Sequence, residues 1–181
     1  MNALVPDVVD EAPPQDKLKV NYAGQLAVQE GNELTPTQVK DEPLVTWNSE
    51  EEEGDDSALH TLLMVDPDAP SRAEPKFREI LHWAVVNIPG NQLNEGQTLV
   101  EYVGSGPPQG TGLHRYIFLL YRQSQRIEES LHIDRRTRQG RLNFSAREFA
   151  AKHGLGKPIA GNFYEAQYDD YVPIRNKEIT G

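Results

Sequence analysis

Ile80-Leu81-His82-Trp83-Ala84-Val85-Val86-Asn87-Ile88 decides the fold class. A period of two puts Ile80, His82, Ala84, Val86 and Ile88 on one face and Leu81, Trp83, Val85 and Asn87 on the other. Both faces are largely apolar, so the stretch reads as a central strand covered on both sides. A histidine buried in such a strand must find hydrogen-bond partners or carry a desolvation cost. Working outward, strand patterns recur over 17–22, 25–28, 43–47, 59–66, 98–103 and 113–122. In the first, Leu18, Val20 and Tyr22 alternate with Lys17, Lys19 and Asn21. Turn residues such as Gly31-Asn32, Pro89-Gly90-Asn91 and Asn94-Glu95-Gly96 separate several of them. Many short strands with this punctuation predict a mainly β protein, two antiparallel sheets packed as a Greek-key-like sandwich with a few peripheral helices.

Two helices are expected. Ser145-Ala146-Arg147-Glu148 is a capping box, Phe144 and Phe149 stand at staple positions, and Gly154 suits a left-handed C-terminal cap. A shorter helix is expected around 6–11, with Pro6 in its first turn and Pro13-Pro14 ending it.

Chemistry concentrates where three strands end. In the strand over 113–122, His114, Tyr116, Phe118 and Leu120 share a face, so an imidazole and a phenol sit side by side beyond a glycine-rich loop. Asp66 closes the strand over 59–66, where Pro67 and Pro70 turn the chain. If these ends converge, Asp66, His82, His114 and Tyr116 line one cavity suited to an anionic head group. Imidazole and phenol donate to phosphate oxygens, and a nearby phosphate favours the protonated histidine. Gly104, Gly106, Gly110 and Gly112 let backbone N–H groups approach the anion. Each part alone is equally readable as structural: a satisfied strand histidine, an ordinary glycine-proline turn.

The 181 residues suit one domain spanning 1–181, long enough to bury a core without staples. No cysteine is present, which removes disulfides, zinc-cysteine sites and thiol chemistry. The first residues lack the basic and apolar regions of a secretion signal, and no apolar run is long enough to span a bilayer. A cytoplasmic monomer is the expectation. The net charge of -10 argues against nucleic acid as a partner. Much of it sits in Glu50-Glu51-Glu52-Glu53-Gly54-Asp55-Asp56, read as a solvated loop tip or, alternatively, a divalent-metal site. Arg135, Arg136, Arg138 and Arg141 form a basic cluster, either an exposed loop or a dock for acidic lipid or an acidic partner. Ser145 is explained by its cap role and is also a possible phosphosite beside Arg141 and Arg147.

Asp-Pro-Asp-Ala-Pro-Ser-Arg at 66–72, His82 with Val85-Val86-Asn87, and Gly-Ser-Gly-Pro-Pro-Gln-Gly-Thr-Gly-Leu-His-Arg-Tyr at 104–116 resemble the signatures of the phosphatidylethanolamine-binding protein family. The resemblance is nearest its animal, Raf-kinase-inhibitor-like branch. Leu34-Thr35-Pro36-Thr37-Gln38-Val39 and Gln167-Tyr168-Asp169-Asp170-Tyr171-Val172-Pro173 extend it over nearly the whole chain. It implies a compact β fold and a pocket for phosphate, phosphoethanolamine or a phospholipid head group. Carried over by position, that pocket comprises Asp66, Ala69, Pro70, His82, Gly106, Pro107, His114 and Tyr116, with Tyr164 or Tyr171 as a lid. The resemblance also implies protein kinases or serine proteases as partners, without a cofactor or catalysis. The chain departs from the pattern in having Leu81 before His82, where paired histidines are common. Gly161-Asn162-Phe163 replaces a small-residue run, and only eight residues follow Pro173. The residues themselves leave two rivals: a serine protease inhibitor, and a metal-dependent enzyme using Asp66, His82 and His114.

Overall fold

Alternating burial in Leu18–Tyr22 (β1), with Leu18, Val20 and Tyr22 inside, is the signature of a strand with one face on a core. The computed structural model describes residues 2–14, 17–48 and 58–180, so the acidic run at 50–56 lies outside the described residues. Within them the further strands are β2 (Leu26–Ala27), β3 (Asn32–Glu33), β4 (Leu44–Trp47), β5 (Leu59–Asp66), β6 (Ile80–Pro89), β7 (Gln97–Val100), β8 (His114–Gln123) and β9 (Ala160–Ala166). Two helices accompany them, α1 (Ala146–His153) between β8 and β9 and α2 (Val172–Glu178) after β9.

The strands form two sheets, as expected: a small one ordered β2-β1-β4 and a large one ordered β3-β9-β8-β5-β6-β7. All pairings are antiparallel except the two-residue parallel pairing of β3 with β9. The small sheet packs on one face of the large sheet. Between them lie Leu18, Val20, Val45 and Trp47 on one side and Leu62, Met64, Trp83, Tyr116 and Phe118 on the other. A second core covers the opposite face. There Leu63, Val65, Ile117, Leu119 and Tyr121 meet Leu4, Val8 and Val9 from the N-terminal segment and Ala146 and Ala150 from α1. β5, β6 and β8 are therefore buried on both faces, which is why they read as continuous apolar runs.

The strict alternation expected for β6 does not hold. Trp83 and Val85 lie in the first core, whereas Leu81, Ala84 and Val86 lie in the second. Two bulges reset the phase. Val65 pairs with Leu81 and Met64 with Trp83, leaving His82 as an extra residue; likewise His60 pairs with Ile88 and Leu62 with Val85, leaving one residue against two. A bulge places successive side chains on the same side of the strand, so His82 and Trp83 both turn toward the first core.

α1 follows its sequence signals. The Ser145 side chain accepts a hydrogen bond from the Glu148 N–H, Gly154 is left-handed, and the Phe144 and Phe149 rings are 5.7 Å apart. The helix expected around 6–11 is absent. A 3-10 turn over Asn2–Leu4 precedes turns in which the N–H groups of Val8 and Val9 both donate to the Leu4 carbonyl. The carbonyls of Ala3 and Pro6 are instead taken by the guanidinium groups of Arg115 and Arg147. α2 also went unread: it is short, and Pro173 stands in its first turn.

A buried ion pair joins β5 to β8. Arg115 donates to Asp68 from its backbone N–H at 2.9 Å, from Nε at 2.9 Å and from Nη2 at 2.7 Å. Burial alone would raise the Asp68 carboxyl; the hydrogen bonds from Arg115 outweigh it and hold the group below its ordinary value. Breaking such a pair by removing one charge typically costs about 3–5 kcal/mol, because the remaining charge is left buried. Asp68→Asn should therefore lower stability by a loss of that order in urea-induced unfolding, while the exposed pair's Lys157→Gln should change it by less than about 1 kcal/mol.

Candidate anion-binding site

The bulge in β6, the end of β5 and the start of β8 meet at one end of the large sheet. There they enclose a cavity of about 380 Å³. Asp66, Ala69, Pro70, His82, Gly106, Pro107, His114 and Tyr116 all line it. The volume is in the range of small-ligand pockets. Phe77, Ile80, Leu81 and Leu142 add an apolar wall.

His82 is held by a reciprocal pair with Val103. The Val103 N–H donates to the His82 carbonyl at 3.0 Å, and His82 Nδ1 lies 2.8 Å from the Val103 carbonyl. A carbonyl only accepts, so Nδ1 carries the proton and Nε2 presents a lone pair. Burial, reinforced by the positive charge of Arg175, pushes the His82 imidazole down to about 3. Its ring stands edge-on to that of Tyr116, with centroids 5.3 Å apart. His82 is thus a neutral acceptor, not the ready anion donor that its residue type suggests.

His114 is wired differently. Its Nδ1 lies 3.0 Å from Asp66 Oδ2, and its Nε2 lies 2.9 Å from Thr111 Oγ1. The Thr111 hydroxyl spends its own proton on the Pro108 carbonyl at 2.7 Å. Every bond is satisfied when Nε2 carries a proton toward Thr111 and one further proton is shared between Nδ1 and Asp66. Asp66 and His114 then form a unit with no net charge. Asp66 Oδ1 is also engaged, accepting the Asp68 N–H at 2.7 Å. Burial raises the Asp66 carboxyl above its ordinary value, against the opposing pull of His114.

Two aromatic residues assigned as lids lie elsewhere. Tyr164 is fully buried behind the wall, its ring stacked on Tyr116 at 5.2 Å and its hydroxyl 2.5 Å from Ser105 Oγ. Its β9 position faces the core between the sheets, so it backs the cavity. Tyr171 lines a separate polar groove of about 890 Å³, on the other side of α2. Ser145 is on the far face of the large sheet with α1. Two of the glycines also answer close packing. A Cβ at Gly104 would lie 2.7 Å from the Val39 carbonyl oxygen, and one at Gly106 would lie 2.4 Å from the Arg175 guanidinium. Gly110 and Gly112 have positive φ in the loop that follows.

Three cavity residues were not legible beforehand as part of the site: Arg138, Arg141 and Arg175. The basic cluster splits. Arg141 is buried, and its guanidinium donates to the carbonyls of Thr137, Leu81, His82, Glu101 and Asp134. Burial and the nearby Arg175 lower it to about 10. Arg138 is exposed at the cavity, whereas Arg135 and Arg136 line the groove. Arg175 arrives on α2, which Asp169 ties to the Thr37 N–H and hydroxyl. Its Nε donates to the Gly104 carbonyl at 2.9 Å, so the guanidinium lies flat against Gly106.

The metal-enzyme rival needs Asp66, His82 and His114 as a set of ligands. Among the described residues no three histidine or carboxylate side chains are grouped to hold a metal ion. Asp66, His82 and His114 do not form a ligand triad, since Nδ1 of each histidine and Nε2 of His114 already serve protein partners.

The profile of the phosphatidylethanolamine-binding protein family matches residues 24–165, and the chain belongs to that family. It is 36% identical over 179 residues to a Drosophila melanogaster protein named "Putative odorant-binding protein A5", covering 98% of this chain and 82% of that one. The solution structure of CG7054 is 64% identical, covers the whole of both chains and superposes with a TM-score of 0.78. Carboxypeptidase Y inhibitor, in a crystal structure with its cognate proteinase, is 28% identical over 93% of this chain and 92% of its own, with a TM-score of 0.75.

The tautomer of His82 is open to measurement. Nitrogen chemical shifts of its imidazole should report the neutral Nδ1–H form from about pH 8 down to about pH 5, without the midpoint near 6.5 of an ordinary histidine.

Proposed function

We propose that this protein is a non-enzymatic receptor for phosphate-bearing ligands, phosphoethanolamine or a phospholipid head group among them. We further propose that it serves as an interaction module in kinase signalling in the cytoplasm. The observation that carries the binding reading is the single cavity walled by the His82 imidazole and by the guanidinium groups of Arg138, Arg141 and Arg175, with Arg175 Nη2 left without a protein acceptor. The guanidinium charges complement an oxyanion from several directions. Family membership supports the same reading. The kinase role rests on the sequence resemblance alone.

The arrangement speaks against an enzyme. Asp66, His114 and Thr111 are linked in the order of a nucleophile relay, but the protons run the wrong way. Nε2 donates to the Thr111 hydroxyl, which donates to a carbonyl, so no base faces that oxygen.

Calorimetric titration with inorganic phosphate and with phosphoethanolamine should give saturable binding. The double variant His82→Ala, His114→Ala should weaken it at least about tenfold. Unchanged binding in a folded double variant overturns the assignment. An anionic oxygen against His82 Nε2 also requires a proton there. Binding should therefore take up a proton, seen as a heat that varies with buffer ionisation enthalpy, and affinity should fall as pH rises above about 7.

A second reading, proteinase inhibition, is supported by the similarity to carboxypeptidase Y inhibitor. Inhibition assays against carboxypeptidase Y, trypsin-like and chymotrypsin-like enzymes test it, and activity unaffected by excess protein discards it.

A further inference from the structure

We propose that the cavity selects a phosphomonoester over a phosphodiester and over a head group that carries an ammonium. The inference rests on the anion-binding reading above and sharpens its substrate class. Two independent features of the wall lead to it.

The first is charge balance. Arg138, Arg141 and Arg175 line the cavity, and none of them makes an ion pair among the described residues. Arg141 acts as a fixed buried charge, its N–H groups all directed to carbonyls. Arg175 uses Nε on Gly104 and Nη1 on Asn176, which leaves Nη2 without a protein acceptor. Against these cations Asp66 is the only carboxylate in the described lining, and the hydrogen bonds from His114 and Asp68 occupy it. An ammonium entering with the phosphate would meet three guanidinium charges and no free acid. A phosphomonoester carries close to two negative charges at neutral pH, roughly twice the charge of a diester, and suits this wall better.

The second is a proton. His82 Nε2 is an acceptor because Nδ1–H is committed to Val103. A monoester meets it by sharing one proton between a phosphate oxygen and Nε2, giving up part of its second negative charge to do so, because that proton leaves the phosphate near pH 6. A diester has no such proton. It must either leave Nε2 facing an oxyanion or force protonation of an imidazole whose burial holds it near 3. The apolar wall formed by Phe77, Leu142 and Ile179 receives the organic part of the ester.

The test uses glycerol 3-phosphate, phosphoethanolamine and glycerophosphoethanolamine on the unmodified protein by calorimetry. The expected order is glycerol 3-phosphate tightest and glycerophosphoethanolamine weakest, with at least about a tenfold difference between those two. Arg175→Gln should lower glycerol 3-phosphate affinity about tenfold and shrink its advantage over phosphoethanolamine. Equal or tighter binding of glycerophosphoethanolamine overturns the selectivity while leaving the anion-binding reading intact. Failure of all three probes and of inorganic phosphate overturns both. Vesicles of phosphatidylcholine doped with phosphatidic acid or with phosphatidylethanolamine then separate the sources. Recruitment by phosphatidic acid alone supports a lipid monoester, and retained binding of glycerol 3-phosphate without recruitment supports a soluble one. Equal recruitment by phosphatidylethanolamine overturns the proposal.

Discussion

The Asp68–Arg115 pair is the constraint on which the rest of the structure depends. Both side chains are essentially without solvent contact, so each charge depends on its ionic partners, above all on the other. The Asp68 N–H in turn fixes one oxygen of Asp66, and the other oxygen orients His114. Because neighbouring residues on β8 point to opposite faces, clamping Arg115 beneath the sheet sets His114 above it. The chain from Arg115 to Asp68, Asp66 and His114 carries rigidity from the second core into the cavity. The cavity wall is thus anchored by a charge pair that does not itself line the cavity.

Much of the frame was legible, for a simple reason. β5, β6 and β8 are long and buried on both faces, so their apolar runs stand out whatever their neighbours are. The eight residues carried over by resemblance do converge on one cavity. What the pattern did not reveal was phase. A bulge adds one residue without changing composition, so nothing in Ile80–Pro89 announces that His82 and Trp83 share a side. β9 was missed because Gly161, Asn162 and Glu165 interrupt its alternation, although the Asn162 side chain is satisfied by the carbonyls of Leu18 and Val28. Among four clustered arginines, no local signal distinguished Arg141, whose burial depends on carbonyls from four distant or looped segments.

The site also shows how a residue type can mislead about charge. Two histidines in one cavity invite the reading of two cationic donors. Their partners decide otherwise: a carbonyl makes His82 an acceptor, and a carboxylate with a threonine makes His114 a donor. The positive potential comes instead from arginines, one of them delivered by a seven-residue helix at the end of the chain.

The N-terminal segment acquires a meaning from the same clamp. Arg115 reaches past Asp68 to the Ala3 carbonyl and the Asp7 carboxylate, and Arg78 bridges Asp7 and Asp68. Residues 3–7 are consequently a plug seated in a charged socket, with Leu4 sealed against the second core. Trimming them would do more than shorten a tail. It would uncork the side of the sheet opposite the cavity and admit water to the guanidinium that ties β8 to the turn after β5.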